Sequence, residues 1–190
     1  MNKRMADRFA VRPEAPRDRR AVALVHDQAF GRAAEGDLAA ALSAAGAGML
    51  SLVAAQDDWI VGHILFSPVT IVPPAGLRAA ATLAPVALAP VALAPMAVLP
   101  WLQRRGIGSR LVQAGVAALR PNGHGAVFVL GAPALYGRFG FVPASDFGLC
   151  REGHAPEPAF LALELTAGVL AGVSGTIRYR AEFSRQLPPG

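Results

Sequence analysis

The chain of 190 residues has one cysteine, Cys150, which excludes an intramolecular disulfide and leaves no thiol cluster for a metal. Lysine is as scarce: Lys3 is the sole lysine among eighteen basic residues, so arginine carries the basic character. Aromatic residues are only 7% of a chain that is 53% hydrophobic, which predicts a core rich in small side chains. Long basic runs, zinc-finger spacing and aromatic interleaving are all missing. The net charge of +5 therefore reads as a solvated surface, and no nucleic-acid partner is expected. The first twenty residues lack the apolar core of a signal peptide, and with a single cysteine the expected location is the reducing cytoplasm. Residues 1–10 read as a flexible arm and residues 11–190 as one domain.

Charge is absent from Ala79 to Leu102, a stretch long enough to span a membrane by hydropathy. Pro85, Pro90, Pro95 and Pro100 argue against that, because each interior proline costs a helix about 3 kcal/mol. The segment reads as extended chain, and no membrane is expected. Within it the unit Leu-Ala-Pro-Val/Met-Ala runs three times, from Leu83 to Ala97.

Around the repeat the chain alternates helix and strand signals. Val22, Val25 and Ala29 recur at helical spacing behind Asp18, a residue suited to capping the first turn; Leu38, Ala41, Leu42 and Ala45 repeat the pattern before Gly46. "LSLVAAQDDWIVGHILFSPVTIV" reads as a hairpin turning at Asp57-Asp58, with Gly62 as a candidate bulge. A helix is predicted over "GIGSRLVQAGVAALR", then a strand "AVFVLG", a short helix at "PALYGRF", a strand near "FLALEL" and a last strand "TIRYRAEF". This order describes an α/β domain around one mixed sheet.

"QRRGIGSRL" stands where a strand should meet a helix, and its logic is anion capture. Gly106 and Gly108 permit unusual dihedrals and close approach, so that backbone N–H groups from Arg104 to Ser109 face one concavity at a helix N-terminus. No Gly-Lys-Ser/Thr follows and the full Gly-x-Gly-x-x-Gly is absent, which argues against ATP and NAD. A tight strand-to-helix turn is the other reading of the same glycines.

Gln103, Arg104, Arg105, Gly106, Ile107 and Gly108 resemble, position by position, the Gln/Arg-x-x-Gly-x-Gly/Ala signature of the GCN5-related N-acetyltransferases. "LYGRFGF", Leu135 to Phe141, is similar to that family's tyrosine segment, and the likeness to its YhbS-like branch extends over about residues 11 to 183. The resemblance implies a mixed, mostly antiparallel sheet with a splayed pair of parallel strands flanked by helices. It implies acetyl-CoA as co-substrate, no metal, and transfer to a primary amine of a small molecule or peptide by direct attack. It places the pyrophosphate on Gln103 to Ser109, the thioester beside the backbone of Met96, Ala97 and Val98, and Tyr136 as general acid; a core tyrosine with a bonded hydroxyl is the alternative for Tyr136. A non-catalytic acyl-CoA-binding module is the alternative function, and monomer or homodimer both remain open.

Two features depart from the family pattern. The asparagine that many members carry before the tyrosine is missing, with Gly131 and Ala132 in that neighbourhood, and the strand before the loop offers no base. Glu35, Asp37 and His63 are the candidates, with a water relay beside them; nothing near Cys150 activates it as a nucleophile. Only the third repeat copy is expected in the sheet, with residues 79–92 an extended or loose connection.

Overall fold

The computed structural model describes residues 8–74, 88–154 and 157–186. They belong to two compact units, one within residues 1–67, 93–117 and 181–190, the other within residues 68–92 and 118–180. Together they make an α/β fold whose sheet is mixed and mostly antiparallel, with a parallel pair and flanking helices.

The first unit begins with β1 (Ala10–Pro13), followed by α1 (Arg19–Phe30), α2 (Ala34–Ala44), β2 (Leu50–Gln56) and β3 (Trp59–Pro68). Of the expected arm, residues 1–7 lie outside the described residues, while Phe9 is buried and Ala10 opens β1. The hairpin is as expected: Gln56 pairs with Trp59 across Asp57-Asp58, and Asp57 adopts the left-handed region that the tight turn demands. The irregularity in the ladder falls at Val61, beside Gly62. Gly62 has a packing reason of its own, since a Cβ there would stand 3.1 Å from Leu111 and 3.2 Å from the Ala97 carbonyl. Leu111 belongs to α3 (Ile107–Leu119), which covers one face of β3. Gly115 of the same helix admits Phe66, a fully buried ring. His63 points to the opposite face, where His26 of α1 meets it, so β3 is buried almost throughout.

Asp18 does not cap α1. Its carboxylate turns back to accept hydrogen bonds from Arg12 Nη1 at 2.6 Å and from the Ala15 N–H at 2.8 Å, because a short 3-10 turn (Pro16–Asp18) precedes the helix. The bond from Arg12 holds the Asp18 carboxyl at about 2, below its ordinary 3.8 and against the opposing effect of burial. The folded state thus favours the carboxylate, and this stabilisation is present above about pH 4 and lost as pH falls towards 2. Asp18→Asn is expected to lower stability at pH 7 by about 2 kcal/mol and to flatten the acid limb of the stability curve, measured by denaturant unfolding from pH 7 to 2.

The second unit contains β4 (Thr70–Val72), the start of β5 (Val91–Val98), β6 (Ala126–Leu130), α4 (Pro133–Tyr136), β7 (Val142–Pro143), β8 (Leu149–Arg151), β9 (Phe160–Glu164) and β10 (Gly175–Arg178). β5 and β6 run parallel, pairing at Val91–Val127 and Ala92–Phe128; β9 pairs antiparallel with both β6 and β7. A smaller sheet follows the order β4-β10-β8. Its core joins Leu88, Ala92, Phe128, Phe160, Leu149 and Ile177. The expected last strand ends at Arg178: Ala181–Gln186 forms α5 instead, a segment of good helix formers that packs on α2 in the first unit.

The repeat corrects the expectation made for it. The first copy, residues 83–87, lies outside the described residues, but the second is built into the fold. Leu88 is 2% exposed and Val91 and Ala92 are fully buried, in β5. The Gly125 N–H donates to the Leu88 carbonyl at 2.7 Å, His124 Nδ1 to that of Ala89 at 3.0 Å, and the Val69 N–H to that of Pro90 at 3.1 Å. The second copy is therefore fixed in the fold as well as the third, and Val91 and Ala92 are strand, because three carbonyls and three apolar side chains of one unit find partners.

Candidate active site

β5 ends at Val98, and Leu99 closes it with an N–H donated to the Val61 carbonyl at 2.9 Å. Pro100–Leu102 makes one 3-10 turn, after which the exposed Gln103 donates from Nε2 to the Val98 carbonyl at 3.0 Å, clamping the loop to the strand that leads into it. Arg104 and Gly106 both have positive φ, +59° and +86°. Left-handed residues of this kind curl a chain so that successive N–H groups face one side, the geometry of an anion nest. Gly106 offers its carbonyl to the Arg110 N–H at 3.0 Å, so it closes the loop and Ile107 begins α3.

Ile107 is 2% exposed and anchors the first turn. The N–H groups of Ile107, Gly108 and Ser109 lie ahead of any intrahelical acceptor, at the positive end of a 13-residue helix. The structure brings Gly108 to the strand, since a Cβ built on it would lie 3.8 Å from Val98 Cγ2 and 4.0 Å from Met96 Cε. Met96 and Val98 therefore face the helix start, and the buried Ala97 faces the other way. A pyrophosphate fits this donor set: backbone amides, a helix terminus, and no carboxylate among residues 91–110.

In the second unit, α4 sets Tyr136 at 5% exposure, its ring edge-on to Phe141 with centroids 5.5 Å apart. Burial pushes the phenol up to about 12. Gly131 has no room for a side chain. A Cβ at 131 would overlap Tyr136 Cε2 and lie 3.0 Å from Cδ2, so the ring occupies the space that any side chain there would need.

The three base candidates fare differently. Glu35 is buried and held by Arg32 at 2.5 Å, and Asp37 lies exposed in the first turn of α2. His63 is fully buried inside a chain of polar groups that the sequence did not reveal. Ser51 Oγ donates to the Glu14 carboxylate, His63 Nε2 lies 2.8 Å from Ser51 Oγ, and His63 Nδ1 lies 2.8 Å from His26 Nε2. Contact with His63 and Ser51 pulls the Glu14 carboxyl down, burial opposing, and burial holds His26 at about 3. These residues come from four separate segments, α1, β2, β3 and the link after β1, at unrelated spacings, which leaves no pattern to read in the sequence. Cys150 is half-buried on β8, its Sγ 3.9 Å from the Gly175 carbonyl. Among the described residues no group of three His, Cys, Asp or Glu is placed to hold a metal ion, and no helix is long and apolar enough to cross a membrane.

The nest at the head of α3, fed by a strand of a mixed sheet, is an arrangement suited to an anionic group. The sequence profile of the acetyltransferase (GNAT) domain matches residues 47–143, and the chain belongs to this family. As a member it is an N-acetyltransferase whose co-substrate is acetyl-CoA. It is 32% identical to the N-acetyltransferase YhbS of Escherichia coli over 176 residues, 92% of this chain and 98% of that protein. The crystal structure of E. coli YhbS in complex with CoA superposes with a TM-score of 0.81, covering 93% of this chain and 92% of that one. A GNAT acetyltransferase from Brucella melitensis in complex with acetyl-CoA is 31% identical, with a TM-score of 0.70 and coverage of 92% and 97%.

Proposed function

We propose that residues 11–190 act as a single domain that moves the acetyl group of acetyl-CoA to a primary amine of a small molecule or peptide by direct attack. The clamped, glycine-containing nest at Gln103–Ser109 is the observation that carries this reading, with its amides receiving the pyrophosphate. The Met96–Val98 backbone would lie along the thioester, where an N–H can stabilise charge growing on the carbonyl oxygen. Partners are the amine and acetyl-CoA, with neither nucleic acid nor membrane, in the cytoplasm and as a monomer or homodimer.

Tyr136 acts in this scheme as a hydrogen-bond donor more than as a full acid. A phenol at about 12 facing a thiol near 8.5 makes complete proton transfer uphill by about 5 kcal/mol, whereas a hydrogen bond to the emerging thiolate needs no transfer. Turnover then ends with the thiolate protonated through solvent.

The test is thermal unfolding with acetyl-CoA, CoA and ATP in parallel. A ligand at a hundred times its dissociation constant adds about 2.7 kcal/mol, which for a chain of this size raises the midpoint by about 5–10 °C. The expected result is a shift with acetyl-CoA and CoA but not with ATP. A shift with none of them removes the reading; binding without transfer to any amine leaves the acyl-CoA-binding module in its place.

A further inference from the structure

Both tryptophans of the chain, Trp59 and Trp101, line one groove in the first unit. It has a volume of about 400 Å³, and Arg8, Phe9, Leu99 and Leu102 share its walls. Phe9 and Leu99 are buried there, whereas the indoles are 76% and 58% exposed and no described residue covers them. An exposed aromatic patch of this kind marks a surface that something else covers.

The register of the sheet shows which part of the chain arrives at it. Ala10 pairs with Ala55, so one step back along β1 brings Phe9 level with Gln56, and the next brings Arg8 to the turn at Asp57-Asp58. Trp59 leaves that turn as the first residue of β3. Leu99, whose N–H is bonded to the Val61 carbonyl, leads from β5 into the Pro100–Leu102 turn that carries Trp101. Residues 1–7 therefore join the described chain at Arg8, on the wall of the groove itself.

The sequence of those residues, Met-Asn-Lys-Arg-Met-Ala-Asp, suits indoles. Lysine and arginine are attracted to the negative face of a tryptophan ring, and methionine sulfur packs well at ring edges. The exposed carboxylates of Asp57 and Asp58 stand beside Trp59, and Arg8 is the one cation among the described lining residues. Seven residues reach about 24 Å when extended. So short a tether holds them at about millimolar effective concentration, where weak contacts suffice and any separate partner has to compete.

We propose that residues 1–7 fold back over Trp59 and Trp101 as a strap, held by Lys3, Arg4 and the two methionines. The occupant of the groove is then a segment of the same chain. The inference stands apart from the acetyl-transfer reading, since neither acetyl-CoA nor an amine enters it.

Tryptophan fluorescence reads the groove alone, because the chain has no other tryptophan. Removing residues 2–7 is expected to move the emission to longer wavelength and to raise the acrylamide quenching constant at least about twofold, as loss of a segment held at millimolar concentration requires. The peptide MNKRMAD, added to the shortened chain at about 5 mM, is expected to reverse both changes. Lys3→Ala with Arg4→Ala in the full chain is expected to raise quenching in the same direction, and it decides the matter should the shortened chain fail to fold, since every described residue is kept. Equal emission and quenching in the full and shortened chains overturn the strap. Quenching that falls as the concentration of the full chain rises overturns it as well, and makes the groove an interface between two copies.

Discussion

Deleting residues 83–92, two copies of the repeat, is expected to lower the melting midpoint by at least about 10 °C, corresponding to about 5 kcal/mol in a chain of this size. Deleting residues 83–87 alone is expected to leave the midpoint within about 3 °C. The asymmetry follows from the sequence. The first two copies are identical, so removing either leaves one Leu-Ala-Pro-Val-Ala to occupy positions 88–92 with every buried contact intact. The connection from Pro74 to Leu88 shortens from thirteen residues to eight, which still reach about 26 Å when extended. The chain has little distance to cover, because the Val69 N–H is bonded to the Pro90 carbonyl. Closing the shorter loop changes the entropy by only about 0.4 kcal/mol.

Removing both copies slides a different segment into that site. Arg78 would fall where Leu88 lies 2% exposed, Ala81 where Val91 is fully buried, and Thr82 where Ala92 is. Loss of a buried leucine alone costs about 2–5 kcal/mol, and an arginine in its place adds an unpaired charge. Differential scanning calorimetry of the two deletions beside the full chain gives the answer. Equal, small shifts for both would mean that Leu88–Ala92 contributes little to the second unit.

The same segment shows where the sequence could and could not be read. The nest, the hairpin at Asp57-Asp58 and the helix from Ile107 were legible because each is local: glycine positions, turn residues and periodicity lie within one short window. Which repeat copy enters the sheet was not, since three nearly identical units carry no local difference; the choice is made by Gly125, His124 and Val69, all distant in sequence. Asp18 likewise looked like a helix cap until Arg12 and the Ala15 N–H claimed its carboxylate. The array at His26 was the least legible, because Glu14 and Ser51 are residue types usually found at the surface. Only pairing of β2 with β3, which sets Ser51 two residues from Val53, the partner of His63, and so on the same face, and packing of α1 above them make one object of four residues.

Gly131→Ala is expected to reduce turnover at least about tenfold while leaving acetyl-CoA affinity nearly unchanged. The added methyl would overlap the Tyr136 ring, which cannot step aside without strain: Phe141 stands edge-on at 5.5 Å and the ring is 5% exposed. Either α4 shifts or the ring leaves its rotamer, and overpacking of this kind costs about 1–3 kcal/mol. Both responses move the hydroxyl. Tyr136→Phe separates the two consequences, since it keeps the ring and its packing and deletes only the donor. If the hydroxyl stabilises the leaving thiolate, Tyr136→Phe lowers kcat as Gly131→Ala does but without the loss of stability, and the double variant is no slower than the worse of the two. If Tyr136 were only a core residue, Tyr136→Phe would retain full turnover, and the slow variant would be Gly131→Ala alone, through the distortion of α4. Steady-state kinetics of the three variants, with unfolding midpoints measured on the same samples, distinguishes a tyrosine that takes part in the reaction from one that merely fills the space which Gly131 leaves open.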